Sequence, residues 1–151
     1  MKTTKASIKT FLEARKLAIA GVSRDQKKLG YAVVKKLKET GFDLYLIHPE
    51  AETLHGERAY RTITDLPDDI GGLLIMTPKS ETMKLVEDAV KKGIPNIWIQ
   101  QMSETPEAVN FALSSNVNLV AGKCILMFAE PVQGFHKFHR TLKKLFGGMP
   151  K

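Results

Sequence analysis

Short apolar runs alternate with amphipathic stretches of helical period along this chain, and that alternation leaves few folds open. Leu17–Val22 and Gly72–Met76 are almost wholly apolar. Strands read this way when both faces of their sheet are covered, the condition of a parallel sheet. Asp43–Ile47, Asn96–Ile99 and Asn118–Ala121 supply three more strands. Helical periodicity lies between them. Over about 30–40, Tyr31, Val34 and Leu37 share a face, with Lys35, Lys36, Lys38 and Glu39 on the other. Over about 80–92, Met83, Val86 and Val90 keep step, as do Ile8, Phe11 and Leu12 over 5–15. Thr105-Pro106-Glu107 is a helix start: a hydroxyl at the N-cap, proline at the first helical position and an acid in the first turn. Residues 49–68 read as a long connection with one short strand at 58–60, and a last helix is expected at about 134–146. Strand–helix units in this order imply an α/β fold, a doubly wound parallel sheet of about five strands in three layers.

Size and composition agree with one domain spanning 1–151. The chain's 151 residues suffice for a hydrophobic core. No apolar run approaches the roughly 18 residues that span a bilayer, and Glu13, Arg15 and Lys16 interrupt the only candidate for a signal-peptide core. A single cysteine, Cys124, excludes an intramolecular disulfide and points to the cytoplasm. The net charge of +7 favours an anionic partner. The basic residues are scattered apart from Arg24-Lys27-Lys28 and the C-terminal helix, with no zinc-ligand set and no RNA-recognition signature, which argues against nucleic acid.

Ligands of such sheets bind outside the C-terminal strand ends, so chemistry is sought just after each strand. After the first stand Gly21, Val22, Ser23 and Arg24, with Lys27 and Lys28 before Gly30 opens the helix. A glycine turn leading into a helix N-terminus directs backbone N–H groups and the helix dipole at an anion. The dinucleotide pattern Gly-x-Gly-x-x-Gly is incomplete. Ser23 replaces its second glycine and the third comes late. His48 and Pro49 stand where an acid would hold a ribose, with Glu50 just beyond. The Walker pattern is absent.

The ordered set Gly21-Val22-Ser23-Arg24, His48-Pro49, Leu66-Pro67, Thr77-Pro78, Ile97-Trp98-Ile99-Gln100-Gln101 and Lys123-Cys124 resembles the small standalone CoA-binding proteins. These are similar to the CoA-binding domain of succinyl-CoA synthetase alpha subunits and of ADP-forming acyl-CoA synthetases. The resemblance runs from about Leu17 to Cys124. It implies a Rossmann-like fold holding coenzyme A or an acyl-CoA. The diphosphate would lie at Gly21, Val22, Ser23, Arg24 and Lys28, and the adenosine near His48 and Pro49. The pantetheine arm would pass Thr77 and Pro78 toward Gln100, Gln101 and Cys124. Three positions depart from the family pattern. His48 replaces the usual asparagine, Glu50 and Glu52 occupy a region that is often basic, and Met102 replaces a common glycine.

No catalytic set is evident, since Ser23 has no base beside it in the sequence. His136 and His139 lack further ligands for a metal. Phe135, Phe138, Leu142 and Leu145 form a packing stripe for the domain, a protein partner or a second copy. An NAD(P)-dependent oxidoreductase and a partner-binding module using the C-terminal helix stand as the rival readings.

Overall fold

The computed structural model describes residues 3–128. Seven strands and four helices follow one another along them. They are α1 (Lys5–Glu13), β1 (Lys16–Ala20), α2 (Leu29–Glu39), β2 (Asp43–Ile47), β3 (Thr53–Leu54), β4 (Glu57–Tyr60), β5 (Gly72–Ile75), α3 (Lys79–Lys92), β6 (Asn96–Gln100), α4 (Pro106–Ser114) and β7 (Asn118–Lys123). The expected helix at 134–146, with its phenylalanine stripe and histidine pair, lies outside the described residues.

The strand order is β3-β4-β2-β1-β5-β6-β7, and every neighbouring pair is parallel except β3 with β4. The α/β architecture and its five main strands are as the sequence implies. The connection after β2 carries the short strand expected at 58–60, as β4, and one further strand, β3. Residues Thr53–Tyr60 fold into a hairpin whose second strand extends the sheet beside β2. His55 at φ 50° and Gly56 at φ 80° form its two-residue turn. Two consecutive positive φ values match the right-handed strand twist.

Side-chain alternation divides the core between the two faces of the sheet. Leu17 and Ile19 of β1 join Leu74, Trp98 and Val120 on one face, where Phe11 of α1 and Val33, Val34 and Leu37 of α2 cover them. Ala18 and Ala20 join Leu73, Ile75, Ile97 and Ile99 on the other, under Val86 and Ala89 of α3 and Ala108 and Ala112 of α4. Burial on both faces is why these strands lack polar alternation. At the N-terminal edge Asn96 donates to Gly71 O, and Asn118 donates to Asn96 Oδ1 and Ser7 O, at 2.8 to 3.0 Å. Buried amide groups are thereby paired where three elements meet.

The chain leaves β1 for β2 on one side and returns to β5 on the other. The switch point therefore lies between the C-terminal ends of β1 and β5.

Candidate functional site

Gly21 and Thr77 meet at that switch point. Ala20 pairs with Ile75 across the two strands, so Gly21 faces Met76 as the strands end. Gly21 has φ 98°, and a Cβ placed on it would lie 2.5 Å from the Met76 carbonyl carbon and 2.7 Å from the Thr77 nitrogen. Only glycine allows this turn and this approach. Its lack of a side chain serves strand-to-strand contact, in addition to any access it gives a ligand. Val22 is buried behind it, and Gly30 in the first turn of α2 rests on Val22, whose Cα would lie 3.1 Å from a Cβ placed on that glycine.

The residues that follow form a self-bonded turn. Ser23 Oγ accepts from Asp25 N at 3.0 Å and Asp25 Oδ1 accepts from Lys27 N at 2.9 Å. Ser and Asp side chains commonly close turns this way. Accepting a bond leaves the Ser23 hydroxyl proton available to a ligand. Arg24, Lys27 and Lys28 are exposed, and none is ion-paired among the described residues. Lys28 is the N-cap of α2, makes no side-chain cap bond, and no acid occupies the first turn. No acid in the first turn of α2 offsets the positive end of its dipole.

Thr77 is 6% exposed, and its Oγ1 is the one buried side-chain oxygen or nitrogen without a hydrogen-bond partner among the described residues. Its carbonyl accepts from Ser103 Oγ at 2.7 Å, while Thr82 Oγ1 donates to Ser103 O at 2.7 Å. The loop after β6 and the start of α3 are thus bonded to the end of β5, with the Thr77 hydroxyl left over. Pro78 is the N-cap of α3.

His48 is half-buried at the end of β2, and Pro49 beside it is exposed. His48 Nδ1 accepts from Glu50 N at 3.1 Å and Ala51 N at 3.0 Å. An asparagine oxygen closes turns in the same manner, so the ring takes over that acceptor role. Its proton is then carried on Nε2.

Gln100 is 3% exposed. Its Nε2 donates to Cys124 Sγ and its Oε1 accepts from Ile125 N, both at 3.0 Å. The amide is occupied in holding the segment after β7, while Gln101 beside it is exposed. Cys124 is half-buried. Gln100 pairs with Lys123 and not Gly122, because a bulge with Gly122 at φ 74° interrupts the β6–β7 ladder. Trp98 is fully buried with Nε1 donating to Lys123 O at 2.9 Å, so it belongs to the core.

His55 joins the site from the β3–β4 turn. Its Nε2 lies 2.7 Å from Ser23 O, and its ring stands 4.8 Å from that of Tyr31 in α2. The sequence carried one signal for it. His55-Gly56 is a two-residue turn pair between Leu54 and Glu57.

The described residues therefore draw Gly21–Lys28, Thr77–Pro78, Ser103 and His55 together, with His48-Pro49 ending β2 on one side of them and Gln100–Cys124 on the other. Known proteins resemble this chain in sequence and in fold. A model described as a CoA binding domain matches residues 15–130. The chain belongs to the CoA-binding domain family. An ADP-forming acetate–CoA ligase of Methanocaldococcus jannaschii is 30% identical to it over 133 residues, covering 87% of this chain and 19% of the ligase. The alpha subunit of an ADP-forming acetate–CoA ligase II from Pyrococcus furiosus is 27% identical over 126 residues, covering 76% of this chain and 28% of the subunit. The CoA-binding domain thus spans under a third of either relative. A solved structure of a hypothetical protein from Pyrococcus horikoshii superposes with a TM-score of 0.77 at 31% identity, covering 82% of this chain and 87% of that one.

Proposed function

We infer that this CoA-binding domain protein holds coenzyme A or an acyl-CoA at the C-terminal edge of its sheet and has no catalytic set of its own. The observation that carries this reading is the orphaned Thr77 hydroxyl at the switch point, beside an uncapped helix N-terminus flanked by three cations that have no ion-pair partner among the described residues. A buried hydroxyl without a partner costs free energy, and a ligand oxygen there would offset it. The diphosphate would lie on the Ser23–Lys28 turn, where exposed N–H groups and positive charge coincide. The adenosine would lie toward His48-Pro49 and the pantetheine arm toward Gln101 and Cys124. Binding without catalysis is supported by the polar groups at this edge. Ser23, His48 and Gln100 all close turns or hold segments in place. The related ligases also carry more than two thirds of their length outside the matched region.

Native mass spectrometry of freshly purified protein identifies any nucleotide it carries. Calorimetry with CoA, NAD and ATP tests the preference. CoA should bind with micromolar affinity, about −8 kcal/mol. NAD binding as tight as CoA or tighter would overturn the reading in favour of an oxidoreductase.

A further inference from the structure

The peptide between Ser23 and Arg24 has its orientation set from outside the turn. Ser23 O can only accept, so the 2.7 Å contact requires His55 Nε2 to carry a proton and donate it. A trans peptide is planar, with its C=O and N–H pointing in opposite directions. Fixing the Ser23 carbonyl on His55 therefore turns the Arg24 N–H away from the hairpin. The hairpin stands beyond β2, on the far side of β1 from β5. The Arg24 N–H has no hydrogen-bond partner of its own among the described residues. Were this peptide to flip, it would present a carbonyl oxygen where an anion needs a donor.

The arrangement is held at a conformational cost. His55 has φ 50°, a region that non-glycine residues seldom occupy. Its ring is also kept beside Tyr31, in the first turn of the helix that the phosphate turn leads into. One side chain on the outer hairpin therefore touches both the turn and the helix that follows.

We propose that His55 is a positioning residue for the anion site: its bond to Ser23 O holds the Ser23–Arg24 peptide with the N–H facing the ligand's diphosphate. This rests on the reading of a diphosphate ligand at the Ser23–Lys28 turn. The loss variant is His55→Gly, which removes the donor and relieves the positive-φ strain, so the hairpin turn is retained. The rescue variant is His55→Gln, whose amide nitrogen can reach the same carbonyl. Nuclear magnetic resonance titrations of wild type and both variants would use CoA, ADP and adenosine, the last lacking any diphosphate. We expect His55→Gly to lose about tenfold in affinity for CoA and ADP and less than twofold for adenosine, with His55→Gln recovering most of the loss. Equal losses for adenosine would show a merely structural role and overturn the proposal. So would CoA affinity in His55→Gly within twofold of wild type. Wild-type protein that binds neither CoA nor ADP would overturn the diphosphate reading itself, and the positioning role with it.

Discussion

Gln100 and Cys124 are joined by a hydrogen bond of 3.0 Å from the amide nitrogen to the sulfur, and the same amide accepts from Ile125 N. The Ile125 N–H is buried, so removing its acceptor leaves an unsatisfied donor. Gln100→Ala should destabilise the protein by about 1–3 kcal/mol, measured by urea denaturation. If Gln100 served the ligand alone, stability would be unchanged and only CoA affinity would fall.

Thr77 should behave in the opposite way. Its hydroxyl is buried and unpartnered among the described residues, so Thr77→Val removes an uncompensated polar group at nearly constant shape. The ligand-free protein should be as stable as wild type or more so, by up to about 1 kcal/mol, while CoA affinity should fall about tenfold, the weight of one hydrogen bond. Thermal unfolding and calorimetry on the same preparations check both arms. Loss of stability with unchanged affinity would show that the hydroxyl has a structural partner.

Two glycines separate backbone strain from close approach. Gly21 at φ 98° is crowded by the end of β5, while Gly56 at φ 80° has open space, with nothing within 4 Å of the place a Cβ would take. Gly56→Ala should cost only the strain of a positive φ, about 1–3 kcal/mol. Gly21→Ala should cost that and more, because Met76 and Thr77 must move, and it should abolish CoA binding. Equal denaturation midpoints for the two variants would show that β5 yields freely.

At the opposite edge of the sheet, Lys16 and Asp69 form an exposed ion pair. The hydrogen bond from Lys16 holds the Asp69 carboxyl below its ordinary 3.8, and the bond to Asp69 raises Lys16 above its ordinary 10.5. A carboxyl whose pKa is lowered on folding contributes stability above the unfolded value and loses it as pH falls through the folded one. A lysine whose pKa is raised contributes below the unfolded value and loses it as pH rises through the folded one. The stability difference between wild type and Asp69→Asn should therefore be small, constant across neutral pH and lost at both extremes. It should also shrink with added salt. CoA affinity should be the same in both proteins.

The buried strands and their order of alternation with helices were legible because they depend on local patterns of apolar residues. Gly21 stood out for the same reason, as a glycine ending an apolar run before a helix. The hairpin at Thr53–Tyr60 was legible only in part. Its first strand has two residues, too few to establish a period of two, and its second alternates without a strong apolar face. Its place in the site depends on His55 reaching a carbonyl 32 positions away, which no local pattern encodes. The role of Gln100 was hidden similarly. A polar residue at a strand end reads as a ligand contact until the segment it holds is seen.

Trp98 is the only tryptophan of the chain. It is fully buried, packed near Phe11 and Phe128, with its indole N–H on the Lys123 carbonyl. Intrinsic fluorescence excited at the red edge of absorption therefore comes from one known position in the core. That position is two residues from Gln100 and hydrogen-bonded to the residue before Cys124. A change in its emission on adding CoA would register events at the far end of the ligand edge without any label, and its red shift in denaturant would follow the separation of β6 from β7.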